Sequence, residues 1–256
     1  MRSPTIFKAF LILAALQVSC MPSEYYQVYE TTIDETVVSV EGQVQFETEQ
    51  LIFKYDLWSS KGDAGFQVKN ISNLDVTIDL TKTFYVRNDL ATPYYSDIEI
   101  SYSTGSSISA AVENRFYLQT NLAAASAAAS ASKTYKRPSK IVIPPNTYVV
   151  VNGFAIVSGY LGECNLAAYP SKNENAILDC DKDHTPLAFS NIISYEWDGN
   201  VERVEHKFYI SRIENLPASK VFKSIDKDEC GNALYVPKKV FAVGGPSSFY
   251  YRYVRR

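Results

Sequence analysis

The sequence predicts a mostly β fold, an antiparallel β-sandwich of which an immunoglobulin-like arrangement is one form. First, apolar residues alternate with polar ones in short runs, the pattern of half-buried antiparallel strands. Second, these runs recur about every 8 to 12 residues with turn-forming residues between them, as in sandwiches and barrels. Third, the chain of 256 residues contains 19 Tyr and 13 Phe, side chains that favour pleated, half-buried surfaces.

The alternating runs fall into two groups. The first group consists of the apolar sets Val38/Val40, Val44/Phe46, Leu51/Phe53/Tyr55/Leu57, Phe66/Val68, Val76/Ile78/Leu80 and Phe84/Val86. The second group consists of residues 141–143, 148–151, 154–157, 192–195 and 206–210. Turn residues punctuate both groups, for example residues 61–63 in the first and 144–146 in the second.

An insertion, residues 101–140, separates the two groups, and we expect it to be a mobile surface loop with a frayed helix. Its centre, residues 122–132, is one Leu followed only by Ala and Ser, which offer little to fill a core. Alanine has the best helix propensity, but an isolated helix shorter than about 12 to 15 residues is marginal in water.

The C-terminal extension, residues 216–256, is predicted to hold a short helix and a last strand. Residues 219–225 place apolar side chains at helical spacing, with Ser219 as the N-cap and Gly231 as the stop. Residues 249–254 are aromatic enough for a final strand that docks on the sheet.

The first residues, 1–19, are predicted to be a secretory signal peptide. Arg2 and Lys8 precede the apolar run 9–16, which is the order of the n-region and h-region. The run is shorter than the roughly 20 apolar residues that span a bilayer, so it predicts a leader rather than an anchor. Removing Arg2 and Lys8 leaves 23 of the 25 basic residues against 28 acidic ones, a balance that argues against nucleic acid as a partner.

Residues 16–20, Leu-Gln-Val-Ser-Cys, resemble the lipobox of bacterial lipoproteins. In that motif the cysteine carries thioether-linked diacylglycerol and becomes the new N-terminus after cleavage. Gln17 departs from the preferred Leu three residues before the cysteine, and looser lipoboxes such as those of Bacteroidetes resemble it. The resemblance implies lipidation of Cys20 and attachment to a membrane, with about 0.8 kcal/mol of membrane affinity per buried CH₂. Ordinary signal cleavage in the same region, leaving a secreted protein, is the alternative.

The mature chain is predicted to divide into a tether, residues 20–35, and one β-sandwich domain, residues 36–256. About 237 residues remain after cleavage, which ordinary domain sizes allow to form one large β domain. The tether segment is polar and aromatic, and a first edge strand is its alternative.

Six blocks of the mature chain look like one lipoprotein family of Bacteroides and related gut bacteria. They are residues 25–29, 65–70, 83–88, 141–145, 186–191 and 208–211, and together they span nearly the whole mature chain. The resemblance implies a lipid-anchored Bacteroidetes envelope protein, with the outer membrane as the expected location. It implies no activity, and the membrane face is left open.

Three cysteines remain besides Cys20, namely Cys164, Cys180 and Cys230. An odd number in a compartment that permits disulfides is most simply one disulfide and one free thiol, with three buried thiols as the alternative. The family resemblance implies a disulfide between Cys164 and Cys230, because those two positions look shared and Cys180 does not. A closed loop of that length stabilises a fold by roughly 4 kcal/mol in the chain-entropy model.

The sequence contains no recognisable catalytic set, and we predict neither an enzyme nor a bound cofactor. The chain has two histidines, and His206 alternates with Phe208 and Ile210, which predicts a hydrogen-bonded core residue. A lone imidazole lacks the base and nucleophile partners of a triad.

The acidic segment 179–184 copies the first half of an EF-hand loop. The second half fails, because His184 stands where the sharp turn needs Gly and Ser190 where a bidentate Glu belongs. We therefore expect a solvated acidic turn and no metal site.

Our first functional hypothesis is a non-enzymatic lipoprotein that contacts another envelope protein or a glycan, and it predicts an exposed apolar or aromatic patch. One alternative is a glycan-acting hydrolase, which needs two carboxylates facing each other in a cleft. Another is a secreted binding module without acyl chains. Trp58, Trp197 and the tyrosines are candidates for stacking on sugar rings, although most aromatic side chains of a strand-rich protein fill the core.

Overall fold

A computed structural model describes residues 23–33, 44–95, 100–102, 133–135, 138–228 and 230–255. Within these ranges the chain is mostly β, as the sequence predicts. The strands are β1 (Glu24–Ile33), β2 (Val44–Glu47), β3 (Leu51–Tyr55), β4 (Phe66–Asn70), β5 (Val76–Asp79), β6 (Phe84–Arg87), β7 (Leu90–Pro93), β8 (Ile100–Tyr102), β9 (Lys133–Tyr135), β10 (Lys140–Ile143), β11 (Tyr148–Val151), β12 (Ala176–Asp179), β13 (Ala188–Trp197), β14 (Asn200–Pro217), β15 (Phe222–Lys227), β16 (Ala233–Phe241) and β17 (Ser248–Val254). A helix, α1 (Ala218–Val221), lies between β14 and β15.

Two antiparallel sheets form a curled, sandwich-like arrangement. The larger sheet follows the order β10-β5-β13-β14-β1-β17, with β6 and β12 pairing beside this path and β7 pairing with β6. The smaller sheet follows the order β11-β4-β3-β2. Two separate two-stranded sheets, β8 with β9 and β15 with β16, complete the described strands.

The longest strand, β14, with 18 residues, connects the two halves of the larger sheet. Its first half pairs with β13 across a two-residue turn in which Asp198 and Gly199 have φ of 49° and 75°. An Asp-Gly pair with positive φ is the preferred chemistry of a tight hairpin, because its twist matches that of the strands. The second half of β14 pairs with β1 on one side and β12 on the other.

The main core lies between the two sheets. Phe46 and Tyr55 of the smaller sheet contact Phe208 of the larger sheet, with ring centroids 5.7 and 5.0 Å apart. His206 points into the same core, is only 3% exposed, and shares a hydrogen bond of 2.7 Å between its Nδ1 and the Tyr55 hydroxyl. The prediction that His206 is a hydrogen-bonded core residue is confirmed.

The prediction of a tether over residues 20–35 is wrong for the part that the structure describes. Residues 24–33 form β1, which pairs with β14 on one side and β17 on the other. Tyr26 and Val28 are buried on one face and Tyr29 on the other. A strand that is buried on both faces need not alternate polar and apolar residues, so the alternation used to predict strands does not identify it.

The C-terminal extension contains the predicted short helix, but the helix is shorter than predicted. It ends at Val221, and residues 222–227 continue as β15, in which Phe222 pairs with Phe241 of β16. Pro217, not Ser219, is the N-cap, and Gly231 has a φ of 85° near the turn between β15 and β16. Pairing with β16 outweighs the weak helix propensity of so short a segment. The predicted last strand is confirmed as β17, docked on β1.

A segment without regular strands or helices, residues 158–175, covers part of the larger sheet. The side chain of Gln27 on β1, which is fully buried, donates to the carbonyl of Leu161 at 2.9 Å and accepts from its N–H at 2.8 Å. Asn215 on β14 donates to the carbonyl of Ala167 at 2.9 Å. These amide contacts replace strand pairing and hold the segment against β1 and β14.

Several predictions fall on residues outside the described ranges. They are the signal peptide 1–19, the lipidation of Cys20 and most of the insertion 101–140, of which only residues 101–102, 133–135 and 138–140 are described. Among the described residues, no helix is long and apolar enough to cross a membrane.

Candidate functional site

The β15–β16 hairpin stands beside Trp58, which follows the end of β3. Asp56 accepts a hydrogen bond of 3.1 Å from the backbone N–H of Trp58, and the N–H of Leu57 donates to the carbonyl of Pro246 at 2.8 Å. These bonds fix the turn after β3 and direct the indole toward the hairpin. The Trp58 ring meets Phe241 edge to face, with centroids 5.1 Å apart.

An open pocket of about 570 Å³, here called the Trp58 pocket, lies between Trp58 and the hairpin. Its aromatic wall is completed by Phe222, whose ring lies 4.7 Å from that of Phe241. The remaining lining residues are Asp56, Lys238, Lys239, Val240, Val243, Gly244, Gly245 and Pro246. The size is within the range of small-molecule sites, roughly 300 to 1,000 Å³.

Gly244 shapes the side of the pocket formed by residues 243–246. Its φ is 92°, in the left-handed region, and a Cβ at this position would lie 1.9 Å from the Trp58 ring. Only glycine allows this loop to lie flat on the indole. The loop therefore holds the indole in one position.

The Trp58 pocket combines aromatic rings with positive charge. Lys238 and Lys239 are exposed, and Asp56 is the acidic residue in its lining. An aromatic ring face binds the apolar face of a sugar ring, and an ammonium binds a carboxylate. The arrangement suits a ring-shaped, anionic ligand.

The two tryptophans have different roles. Trp197 is partly buried against the main core, and its indole N–H is buried without a hydrogen-bond partner. Trp58 is likewise partly buried, against the cluster of Tyr26, Val28, Leu216 and Val221, but it also lines the pocket. Of the two tryptophans proposed from the sequence to stack on sugars, the structure therefore leaves Trp58 as the candidate.

Exposed apolar side chains lie beside the Trp58 pocket on β16. Tyr235 is fully exposed and Val236 is 69% exposed. A two-stranded hairpin is only marginally stable in water without packing on one face. Tyr235 and Val236 are successive strand residues that point to opposite faces, so they do not form one contiguous patch, and the patch that the binding hypothesis requires stays a prediction.

A second groove, of about 430 Å³, lies on the outer face of β13 and β14. Two carboxylates line it, those of Asp89 and Glu205. Glu205 accepts a hydrogen bond of 3.0 Å from the Ser190 hydroxyl and lies 3.3 Å from the ammonium of Lys207. This groove is one place in the described chain where the hydrolase alternative can be tested.

The acidic segment 179–184 does not converge on one centre. Asp179 lies 3.1 Å from the Arg212 guanidinium, while Asp181 accepts a hydrogen bond of 2.8 Å from the backbone N–H of His184 and lies 2.7 Å from its ring. The hydrogen bonds from His184 hold the pKa of Asp181 below its usual range. In the described residues, no group of three or more His, Cys, Asp or Glu is arranged to hold a metal ion.

The structure holds Cys164, Cys180 and Cys230 as free thiols. The disulfide between Cys164 and Cys230 is not formed in it, and that pairing stays a prediction. Because Cys164 and Cys230 are both exposed, the alternative of three buried thiols is wrong. Burial raises the pKa of the Cys180 thiol.

Sequence reasoning missed the Trp58 pocket because its parts are far apart along the chain. Trp58 was a candidate on residue type alone, but Lys238 and Lys239 join it only through the position of the hairpin. The Gly244-Gly245-Pro246 run was the available signal, since consecutive turn residues mark a loop with special backbone angles.

Comparisons with known proteins do not narrow the function. The chain matches no protein-family model, and no curated protein or solved structure is significantly similar to it.

Proposed function

We propose that the protein is a lipid-anchored protein of the bacterial cell envelope that binds an acidic glycan without catalysis. The anchor rests on the lipobox-like residues 16–20. Ser23 immediately precedes β1, so cleavage before Cys20 removes no residue from any described strand. Four residues, 20–23, then precede β1, fewer than the sixteen, 20–35, that the sequence predicts for the tether.

The Trp58 pocket carries the binding part of the proposal. Phe222 and the part of the Trp58 indole that the Gly244 loop leaves uncovered offer aromatic surface for a sugar ring. Lys239, on the same face of β16 as Phe241, offers charge for a carboxylate on that ring. Neutral glycans gain only the stacking part of this interaction. A glycan with uronic acid units, or another carboxylated sugar, is the ligand class that uses both features.

The anchor is tested by expression in a Bacteroidetes host, followed by intact mass and membrane fractionation. We expect a mass increment of diacylglycerol size and recovery in the membrane fraction, because the acyl chains supply the membrane affinity. Cys20→Ala is expected to lose both the increment and the membrane association.

Cys164→Ala is the matched control, since it removes an exposed cysteine from the folded body and should leave both results unchanged. A soluble wild-type protein of unmodified mass would contradict the anchor and favour a secreted binding module.

The ligand class is tested by calorimetric titration with tetragalacturonate and with the neutral maltotetraose. We expect binding of the acidic tetrasaccharide only, weakened about tenfold, or about 1.4 kcal/mol, by Lys238→Ala combined with Lys239→Ala. Added salt should weaken it further, because exposed charges are screened.

Lys223→Ala combined with Lys227→Ala is the matched control, because these exposed lysines lie on β15 of the same hairpin outside the pocket lining. Equal binding of both tetrasaccharides, or equal losses in the two double variants, would contradict the pocket assignment. Cleavage of either tetrasaccharide would instead favour the hydrolase and direct attention to Asp89 and Glu205.

A further inference from the structure

Covalent geometry places one end of the larger sheet close to Cys20. Ser23 is three residues after Cys20, and three residues reach at most about 10 Å. The carbonyl of Ser23 accepts a hydrogen bond of 3.2 Å from the N–H of Arg255, just after β17. An acyl chain on Cys20 therefore keeps the start of β1 and the end of β17 near the lipid headgroups.

Tyrosine side chains cluster at this end of the sheet. Tyr25 on β1 contacts Tyr253 on β17 and Tyr169 in the neighbouring segment, with ring centroids 5.7 and 5.3 Å apart. Tyr169 is 43% exposed, so the cluster presents aromatic surface to its surroundings. Tyrosine is enriched where protein meets the headgroup region, since its ring is apolar and its hydroxyl is polar.

Basic residues surround the tyrosines. The guanidinium of Arg255 lies over the Tyr169 ring, 5.5 Å from its centroid, and Lys172 is exposed in the same segment. Lys220 donates to the backbone carbonyl of Glu174 at 3.2 Å. Arg252 pairs with Glu24, and Lys220 also interacts with Glu214, so these four basic residues lie near three acidic ones, Glu24, Glu174 and Glu214.

We propose that this surface docks on an anionic phospholipid bilayer. We name Tyr169, Lys172, Tyr253 and Arg255 the anchor-end patch, which packs on the buried Tyr25. The inference rests on the proposed lipidation of Cys20, and it adds that the folded body lies against the membrane in a fixed orientation. Basic residues near the surface are attracted by anionic headgroups, and the tyrosines occupy the interface.

The experiment uses the acylated full-length mature protein on vesicles of phosphatidylglycerol and phosphatidylcholine brominated in its acyl chains. Bromine quenches tryptophan emission at short range, so Tyr169→Trp reports contact between the patch and lipid. Tyr148→Trp is the matched control, because Tyr148 is an exposed tyrosine, at 61%, on β11 of the smaller sheet. Trp58 and Trp197 form the same background in both variants.

We expect bromination to quench the added emission of Tyr169→Trp at least twofold more than that of Tyr148→Trp. Adding Lys172→Glu and Arg255→Glu, both exposed positions, should remove at least half of this difference, as should vesicles without phosphatidylglycerol. Circular dichroism of each variant verifies the fold.

Two failures are distinguishable. Acylated protein that floats with the vesicles but shows equal quenching in both tryptophan variants overturns the docking inference and leaves the anchor intact. Protein that lacks the acyl mass overturns the anchor, and the docking inference with it.

Discussion

Acidification from pH 7 to pH 3 is expected to cost the fold up to about 5 kcal/mol through His206. Burial lowers the pKa of this imidazole from 6.5 to about 3, and each unit of pKa difference corresponds to about 1.4 kcal/mol. The folded pKa is the lower one, so the unfolded chain takes up the proton first. The contribution of neutral His206 is therefore fully present above pH 6.5 and is lost as pH falls through about 3.

The surroundings of His206 explain why burial lowers the pKa of its imidazole. Phe46 stacks on the imidazole with centroids 3.9 Å apart, and Phe53 meets it edge to face at 4.8 Å. Its hydrogen-bond partner is the neutral Tyr55 hydroxyl, and burial raises the pKa of Tyr55 as well. An uncompensated buried charge is strongly unfavourable.

Urea unfolding at several pH values measures this effect. Replacing both partners with apolar groups, in Tyr55→Phe combined with His206→Leu, should reduce the loss of unfolding free energy between pH 7 and pH 3 by several kcal/mol, since it removes the titrating group. His184→Gln, at an exposed histidine whose partner Asp181 is also exposed, should change the pH dependence far less than the double variant does. Identical profiles for the wild type and the double variant would contradict the assignment.

Gly153→Ala is expected to destabilise the protein by about 3 kcal/mol, the upper part of the usual range for overpacking. A Cβ on Gly153 would lie 1.9 Å from the backbone nitrogen of Gly65 and 2.5 Å from its Cα. Because these are backbone atoms, no side-chain rotation relieves the clash. The two chain segments must separate.

Asp63 fixes this close crossing of Gly65 and Gly153. Its carboxylate accepts a hydrogen bond of 2.8 Å from the N–H of Gly65 and another from that of Gly153. Burial raises the pKa of Asp63 despite these bonds. The N–H of Ala64 also donates to the carbonyl of Phe154 at 3.0 Å, so separating the segments breaks several hydrogen bonds at once.

Denaturant unfolding at neutral pH compares Gly153→Ala with Gly159→Ala. A Cβ on Gly159 meets no atom within 4 Å, so that variant should retain wild-type stability within about 0.5 kcal/mol. Equal stabilities of the two alanine variants would show that the backbone crossing relaxes without cost.

Strands such as β3 were predictable from alternation, whereas β1 and β15 were not. In β3, Leu51, Phe53 and Tyr55 are buried and the residues between them are half exposed, so alternation reveals the strand. In β1, both faces are covered, one by the β15–β16 hairpin and the other by the segment held by Gln27. β15 is largely exposed, and its pattern imitates a helix.

The sequence identified Trp58 as a candidate for stacking on a sugar, but it did not show which other residues join Trp58 to form a pocket. The sequence offered Trp58 and Trp197 equally. The structure packs both partly against apolar clusters, but of the two it is Trp58 that lines the pocket. The lysines of the Trp58 pocket lie about 180 residues further along the chain, and only the packing of Phe222 and Phe241 brings them to the indole.

Local patterns determined the mostly β fold, the burial of His206 and the final strand, because alternation and turn chemistry depend on neighbouring residues alone. The tertiary structure decided that β1 is an interior strand, that α1 stops at Val221 and that Trp58 faces a pocket. Each of these depends on which distant segment of the chain covers one face of the element. A local pattern does not reveal that segment, because the free energy of burying the face is gained only when the chain folds.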